Sequence, residues 1–315
     1  MTPAPPPRVV CLVGPTASGK TGLGIALAEA LGAEIVSADS RQVYRHMDVG
    51  TAKPTAAERA RVPHHGLDLV EPESEFDVSR FRDAAADAIA AMRARGRHVL
   101  VVGGTGLWVR VLLQGLCAAP PQAPALRTVL RSFAVREGVP SLHGWLARLD
   151  PPAAARIHPN DGVRVIRALE VALSSGRRLS AWQAEHAFAD APYDELVVGL
   201  ALPVPELDAR IAARVDAMVA AGFVAEVAAL AARVPPGAAA WRAVGYREMR
   251  EHVAGRTTQA DAVAATVRAT RQFAKRQRTW FRRDATIAWR DPRTDGRRIA
   301  DEVHAFLTTG ARPPA

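Results

Sequence analysis

Cysteine is scarce in this sequence of 315 residues, which contains only Cys11 and Cys117. The two are far apart and show no CxxC spacing, which argues against a disulfide framework and against a cysteine-based zinc site. No run of about 18 apolar residues is present, so the sequence predicts no membrane-spanning helix. The proline-rich residues 1–8 lack the apolar segment of a signal peptide. These absences together lead us to expect a soluble, cytoplasmic protein.

Acidic residues are also in deficit, with 32 Asp and Glu against 41 Lys and Arg, which leaves a formal net charge of +9. Hydrophobic residues make up 49% and charged residues 23%, as in ordinary globular chains, so wholesale disorder is excluded. The length suits one large domain or two modest ones. A positive excess of this size favours a polyanionic partner, such as a nucleic acid or a phosphorylated substrate.

Strand and helix patterns alternate in the first hundred residues, which predicts a parallel sheet with crossover helices. The predicted order is strand Arg8–Val13, helix Gly19–Leu31, strand Ala33–Ala38, helix Phe81–Arg95 and strand His98–Val102. A helical insertion is then expected over residues 120–192, dividing an α/β core of residues 1–119 and 193–315. Beyond it we predict a strand at Leu196–Leu202 and long helices over Pro205–Arg233 and Thr258–Arg283.

The most informative motif directly follows the first predicted strand and opens a helix. It matches the G-x-x-x-x-G-K-T pattern of a phosphate-binding loop, or P-loop. Its residues are Gly14, Pro15, Thr16, Ala17, Ser18, Gly19, Lys20 and Thr21. Backbone N–H groups and the helix N-terminus would hold a di- or triphosphate, with Lys20 neutralising charge and Thr21 holding Mg²⁺. The alternative is a chance glycine-rich turn.

A second acidic residue at a strand end, usual in P-loop ATPases and GTPases, is missing from the expected place. The strand His98–Val102 continues into Gly103-Gly-Thr-Gly106 without a carboxylate. The nearest acid at a predicted strand end is Asp39, which would lie beside the P-loop at the carboxyl edge of a parallel sheet. Asp39 is therefore a candidate metal ligand or general base; the alternative is a helix N-cap.

A basic helix near the C-terminus is the third feature. No acidic residue occurs between Val267 and Asp284, and steps of three and four place five cations on one helical face. These cations are Arg268, Arg271, Lys275, Arg278 and Arg282. Such a stripe suits a nucleic-acid backbone, although a merely solvated face fits the pattern as well.

Several motifs taken in order resemble one family, the tRNA dimethylallyltransferases, also called tRNA isopentenyltransferases. Besides the P-loop, the matching segments are Ser37-Ala-Asp-Ser-Arg-Gln-Val-Tyr44, Val49-Gly-Thr-Ala-Lys-Pro54, Pro63-His-His65, Gly103-Gly-Thr-Gly-Leu107, Ile157-His-Pro-Asn-Asp161 with Arg164 and Arg167, Val244-Gly-Tyr-Arg247 and Thr270–Arg282. The resemblance implies a P-loop NTPase-like α/β core with a helical insertion domain. It also implies transfer of a dimethylallyl group from dimethylallyl diphosphate to N6 of adenosine 37, in tRNAs that carry A36-A37 and read codons beginning with U.

The resemblance further implies a role for each matching position. The P-loop with Lys20 and Arg214 would hold the diphosphate, Mg²⁺ would be held through Thr21, Asp39 would be the general base, and Thr105 would hydrogen-bond near the target base. Positions implied to contact tRNA are Asp39, Ser40, Arg41, Gln42, Thr105, Arg127, Val163, Arg164, Val165, Ile166, Arg167, Arg242, Ala243, Val244, Gly245, Tyr246, Arg247, Lys275, Arg276, Gln277, Arg278, Thr279, Trp280, Phe281 and Arg282. The insertion would close over the anticodon stem-loop, and we expect a monomer.

Two other functions share part of this pattern. A P-loop small-molecule kinase would explain the phosphate loop, although it leaves the basic helix without a role. An RNA-binding NTPase would explain both features, although it predicts a second acid at a strand end.

Overall fold

The computed structural model describes residues 5–313. The chain forms two compact units, one containing the chain up to Leu113 and from Ala191 onward, the other containing Gln114–Asp190. The division falls a few residues before the positions 120 and 192 expected from the sequence. No helix in the described part of the chain is both long and apolar enough to cross a membrane.

A six-stranded parallel sheet forms the centre of the first unit. In chain order its strands are β1 (Arg8–Val13), β2 (Ala33–Ser37), β3 (His64–His65), β4 (His98–Gly103), β5 (Asp194–Leu200) and β6 (Ala288–Arg290). Their spatial order is β3-β2-β4-β1-β5-β6, so β1 lies between β4 and β5. This arrangement is the P-loop NTPase-like fold predicted from the sequence.

Helices cover both faces of the sheet, so the central strands are buried on both sides. On β1, Val9, Cys11 and Val13 pack into one core, while Val10 and Leu12 pack into the other. The helices over the first face include α3 (Val78–Ala94) and α4 (Gly106–Gln114), where Phe81 stacks on Trp108 at 4.3 Å. Those over the second face include α1 (Lys20–Leu31) and α14 (Gly296–Thr309).

The first unit contains further helices besides these four. They are α2 (Ala56–Arg61), α10 (Val204–Ala220), α11 (Phe223–Ala231), a 3-10 turn at Ala239–Arg242, α12 (Tyr246–Val253) and α13 (Gln259–Phe281). The single helix predicted over Pro205–Arg233 is wrong. The chain breaks it at Gly222, whose φ of 98° lies in the left-handed region that glycine tolerates and other residues avoid.

Two other differences from the sequence analysis concern strands. The fifth strand begins and ends two residues before the predicted Leu196–Leu202, because it pairs with β1 from Arg8 opposite Asp194 onward. The short edge strands β3 and β6 were not predicted. Strands of two and three residues do not show an alternation that could be recognised in a sequence.

The second unit is helical throughout. Its helices are α5 (Pro124–Glu137), α6 (Val139–Leu149), α7 (Pro151–Ala154), α8 (Gly162–Ser175) and α9 (Leu179–His186). Leu130, Leu142, Leu146, Val165 and Leu169 form its hydrophobic core.

Candidate active site

Three strand ends lie level with one another at the carboxyl edge of the sheet. Val13 is paired with Gly103 on β4 and with Gly199 on β5, and Ser37 on β2 is paired with Val102. The loops that follow β1, β2 and β4 therefore leave the sheet side by side. Ligands of open α/β sheets bind at this edge.

The P-loop follows β1 and turns directly into α1. Gly14 has φ 142°, and a Cβ added there would lie 2.7 Å from the carbonyl oxygen of Leu200, so only glycine fits. Gly19 has φ 89° and immediately precedes the first helical residue, Lys20. The unpaired N–H groups of that helix end favour a bound anion, as the sequence motif predicts.

The Lys20 ammonium lies across the P-loop and donates to the carbonyl oxygen of Pro15 at 2.6 Å. Burial, followed by the charge of the nearby Arg214 guanidinium, lowers its pKa from the ordinary 10.5 to about 7, although the Asp39 carboxylate acts in the opposite direction. A group with this pKa gains a proton readily when a negative charge arrives beside it.

Asp39 lies two residues beyond the end of β2 and lines the same pocket as Lys20. One of its carboxylate oxygens, Oδ1, accepts from the backbone N–H of Arg41 at 2.9 Å. The segment after Asp39 is a turn rather than a helix, so the helix N-cap alternative is wrong. The carboxylate is held in place by this turn and stays available at the pocket wall.

Thr105 lies in the loop after β4 and connects that loop to the Asp39 turn through hydrogen bonds. Its hydroxyl accepts from the N–H of Ser40 at 3.1 Å, and its own N–H donates to the carbonyl of Ala38 at 3.2 Å. The two loops meet closely at Gly103, where an added Cβ would lie 2.2 Å from the Ala38 oxygen. Thr105 thus fixes the backbone on both sides of Asp39.

The pocket between these loops and α10, α11 and α13 has a volume of about 270 Å³ and a strong charge imbalance. Asp39 is the one carboxylate among the described residues that line it. The cations that line it are Lys20, Arg41, Arg214, Arg242 and Arg276. Burial lowers the pKa of both Arg41 and Arg214, and Arg214 reaches the P-loop by donating to the Thr16 hydroxyl at 3.5 Å.

One wall of this pocket is apolar. Ile211, Val215 and Met218 from α10 and Phe223 from α11 line it. A ligand that carries both a phosphate group and a short hydrocarbon chain would find a suitable surface for each. Arg210, one turn before Arg214, instead pairs with Glu206 at 2.7 Å.

The basic face predicted on α13 is exposed. Arg268, Arg271, Lys275 and Arg282 are exposed and Arg278 is half-buried. Arg271 pairs with Asp208 at 3.6 Å. The other four form no ion pair with a carboxylate in residues 5–313, so their charge is not cancelled locally.

Several positions implied to contact tRNA have side chains that point into the protein. In the first unit these are Gln42, Ala243, Tyr246, Gln277 and Phe281, and in the second unit they are Val165 and Ile166. Gly245 is buried as well, whereas Ser40, Val244, Arg247, Thr279 and Trp280 are exposed or half-buried. In the second unit Val163 and Arg164 are exposed at the start of α8.

A buried carboxylate pairs with two arginines of the second unit. Glu170 is fully buried and pairs with Arg127 at 2.6 Å and with Arg167 at 2.9 Å. It also accepts from the N–H of Ala123 at 2.8 Å. Arg127 and Arg167 are therefore held in fixed orientations by a partner that sequence reasoning did not identify.

Glu226 on α11 is a second residue that the sequence analysis missed. Its carboxylate accepts from the backbone N–H groups of Asp48, Val49 and Gly50 at 2.8–3.1 Å, and from the Tyr246 hydroxyl at 2.5 Å. Burial, followed by the charge of Glu226, raises the pKa of Tyr246 far above its ordinary value. No local signal marks Glu226, because its partners lie far away in the sequence.

The fold and this pocket define a P-loop protein whose site is lined by five basic side chains and one carboxylate. A family model described as IPP transferase matches residues 42–284, and one described as isopentenyl transferase matches residues 7–64. The chain belongs to the IPP transferase family, as the resemblance in the sequence indicated.

Curated relatives agree with this assignment. The chain is 51% identical to a tRNA dimethylallyltransferase of Geobacter metallireducens, over 90% of this chain and 92% of that one. It is 50% identical to a tRNA dimethylallyltransferase of Anaeromyxobacter dehalogenans, over 94% and 99% of the two chains.

Solved structures agree as well. The full-length tRNA isopentenylpyrophosphate transferase of Bacillus halodurans is similar at 39% identity and a TM-score of 0.70, over 95% of both chains. A eukaryotic dimethylallyltransferase acting on tRNA is similar at 26% identity and a TM-score of 0.84, over 98% of this chain and 80% of that one.

The lowered pKa of Lys20 gives a testable prediction. Above about pH 7 the Lys20 side chain is mainly a neutral amine. A bound diphosphate raises the pKa of Lys20 again, so binding at about pH 8 takes up a proton. Calorimetry of dimethylallyl diphosphate binding without RNA, in two buffers of different ionisation enthalpy, measures this uptake. Lys20→Met is expected to abolish it and to weaken binding. Equal uptake in Lys20→Met and the unaltered protein would assign the proton to another group.

Proposed function

We propose that this chain transfers the dimethylallyl group of dimethylallyl diphosphate to N6 of adenosine 37 in tRNA and releases diphosphate. The observation that carries the proposal is the pocket with five cations around one carboxylate, built on a P-loop. A reaction whose leaving group is diphosphate needs this charge balance, with a single base opposite many cations. The names of the relatives, tRNA dimethylallyltransferase, support the same conclusion.

The donor diphosphate would lie on the P-loop. Negative charge develops on its bridging oxygen as the bond to the allylic carbon breaks, and fixed cations and N–H groups stabilise that charge without having to reorganise. The N-terminus of α1, Lys20 and Arg214, which line the pocket, would provide this stabilisation. Ile211, Val215 and Met218 would contact the five-carbon chain.

Asp39 would act as the general base. The N6 amino group of adenine is a weak nucleophile, since its lone pair is delocalised into the ring, and removal of a proton during attack therefore assists the reaction. The carboxylate lies on the pocket wall, oriented by the Arg41 N–H. Thr105 would keep the Asp39 turn in position and hydrogen-bond near the target base.

Mg²⁺ fits this site as a partner of the substrate. The pocket offers the Thr21 hydroxyl and one carboxylate, and no group of three or more His, Cys, Asp or Glu suited to a metal occurs in residues 5–313. Mg²⁺ commonly keeps water and phosphate oxygens with only one or two protein ligands, which matches this donor set. When bound, the ion would neutralise part of the diphosphate charge, and Thr21 would hold it.

The tRNA would bind across the exposed cations of α13 together with Arg242 and Arg247. Adenosine 37 has to leave its stack to reach Asp39, as enzymes that modify bases require. In the second unit, Val163 and Arg164 present an exposed surface that suits the same partner. The proposal places this reaction in the cytoplasm, with the chain acting as a monomer.

The direct test is incubation of the purified chain with Mg²⁺, radiolabelled dimethylallyl diphosphate and an unmodified tRNA carrying A36-A37. We expect label in this tRNA and none in a transcript with A37 changed to G. A parallel reaction with ATP in place of the donor tests the kinase and NTPase alternatives. RNA-stimulated ATP turnover without prenyl transfer would refute the proposal.

Replacement of the base gives a second prediction. Asp39→Asn keeps the size of the side chain and removes its basicity, so kcat should fall by about 10²–10⁴-fold. Affinity for tRNA, measured by filter binding, should change by less than about twofold. Asp87→Asn on the exposed side of α3 is the matched control. Near-normal turnover by Asp39→Asn would exclude Asp39 as the base.

The α13 surface gives a third prediction. Arg278→Ala removes one cation from a phosphate contact, so the slope of log K for tRNA against log salt should decrease by about one. Arg297→Ala, an exposed arginine on α14, is the control and should leave the slope unchanged. An unaltered slope in Arg278→Ala would mean that this face is only solvated.

A further inference from the structure

Gln277 lies on the inner side of α13 and joins two loops of the active site. Its side-chain oxygen Oε1 accepts from the backbone N–H of Thr16 in the P-loop at 2.8 Å. Its amide nitrogen Nε2 donates to the carbonyl oxygen of Gly104, after β4, at 2.9 Å. The side chain is buried, with 6% of its surface exposed.

The two contacts fix the chemical identity of the side chain. An N–H on one side needs an acceptor and a carbonyl on the other needs a donor, which a primary amide supplies at its two ends. Asparagine is one methylene shorter and could not span both loops from the same helical position. A buried backbone group that loses its partner is costly, so either loop would shift if the amide were removed.

The close packing of α13 on the loop after β4 limits how far the amide can move. An added Cβ at Gly104 would lie 2.2 Å from Nε2 of Gln277, and one at Gly106 would lie 2.0 Å from Cδ1 of Trp280. Two glycines of the Gly103–Gly106 motif, Gly104 and Gly106, are therefore needed for the approach of α13. That motif also carries Thr105, which holds the Asp39 turn.

We propose that Gln277 is a positioning residue for the donor diphosphate, and not a contact to RNA. Its amide sets the spacing between the P-loop and the loop that supports Asp39, so it aligns the leaving group with the base. Because the Thr16 N–H already donates to Gln277, it is not available to hydrogen-bond with the phosphates. The proposal deepens the proposed prenyl transfer and rests on it for the identity of the donor.

The first test replaces Gln277 with methionine, which has a similar length and no hydrogen-bonding amide. We expect KM for dimethylallyl diphosphate to rise by about tenfold or more, since two buried backbone groups lose their partner. KM for tRNA should stay within about twofold of the unaltered chain. Gln272→Met, at an exposed position of the same helix, is the matched control and should change neither constant.

A second variant separates positioning from a general effect on folding. Gln277→Glu keeps the acceptor for Thr16, but it can donate to Gly104 only when protonated. Its donor KM, divided by that of the unaltered chain at the same pH, should therefore fall as the pH is lowered from about 8 towards about 5.5. A ratio that does not depend on pH would contradict the positioning role.

Two further outcomes would overturn the proposal. A rise in KM for tRNA with an unchanged donor KM would make Gln277 an RNA contact, and unchanged values for both would leave it without a role. Calorimetric donor affinity without RNA tests Gln277 even if no prenyl transfer is detected. Absent transfer by the unaltered chain would refute the proposed function, while an unaltered donor affinity in Gln277→Met would refute this inference.

Discussion

The parallel pairing of β1 with β4 on one side and β5 on the other is the constraint on which the site depends. Because Val13 is level with Gly103 and Gly199, the P-loop and the loop after β4 begin at the same height. The β2 end follows one residue away in register, which brings Asp39 beside them. A one-residue slip of β1 would move the P-loop by about 3.3 Å and turn its side chains to the opposite face.

The same edge concentrates positive charge that the protein does not neutralise. Five cations share a pocket with Asp39, and partial burial makes each charge more expensive to keep. The lowered pKa of Lys20 is one response, because a neutral amine avoids much of this cost. An anionic substrate would reduce the repulsion among the remaining cations, and this reduction favours binding.

Sequence reasoning recovered the features that are local in the chain. The P-loop, the strand that ends before Asp39 and the basic face of α13 each depend on residues close in sequence, so a motif or a periodicity identifies them. The outer strand β6 has only three residues and carries no such pattern. Gly222 divides the helix predicted over Pro205–Arg233, and a single glycine inside a helical pattern does not by itself signal a break.

The residues that hold the site loops through long-range hydrogen bonds could not be predicted from local sequence patterns. Glu226 caps a turn some 176 residues away, and Gln277 bonds to Thr16 across 261 positions. Both are single polar residues within helical segments, where a solvated side chain is the usual expectation. Only the fold shows that they are turned inward, since their contacts depend on how helices lie against the sheet edge.

The α13 helix carries both kinds of feature in one segment: cations that follow a local periodicity, and a buried amide whose partners only the fold shows. Gln277 and Phe281 are four residues apart and face inward, whereas Lys275, Arg278 and Arg282, at steps of three and four, face outward. The family resemblance assigns all of Lys275–Arg282 to tRNA, because it treats the segment as a unit. Helical geometry divides it instead, because the outward-facing cations and the inward-facing amide of Gln277 lie on different sides of one rigid helix. The distance between those two surfaces is then set by the width of a helix, about 10 Å, rather than by a flexible loop.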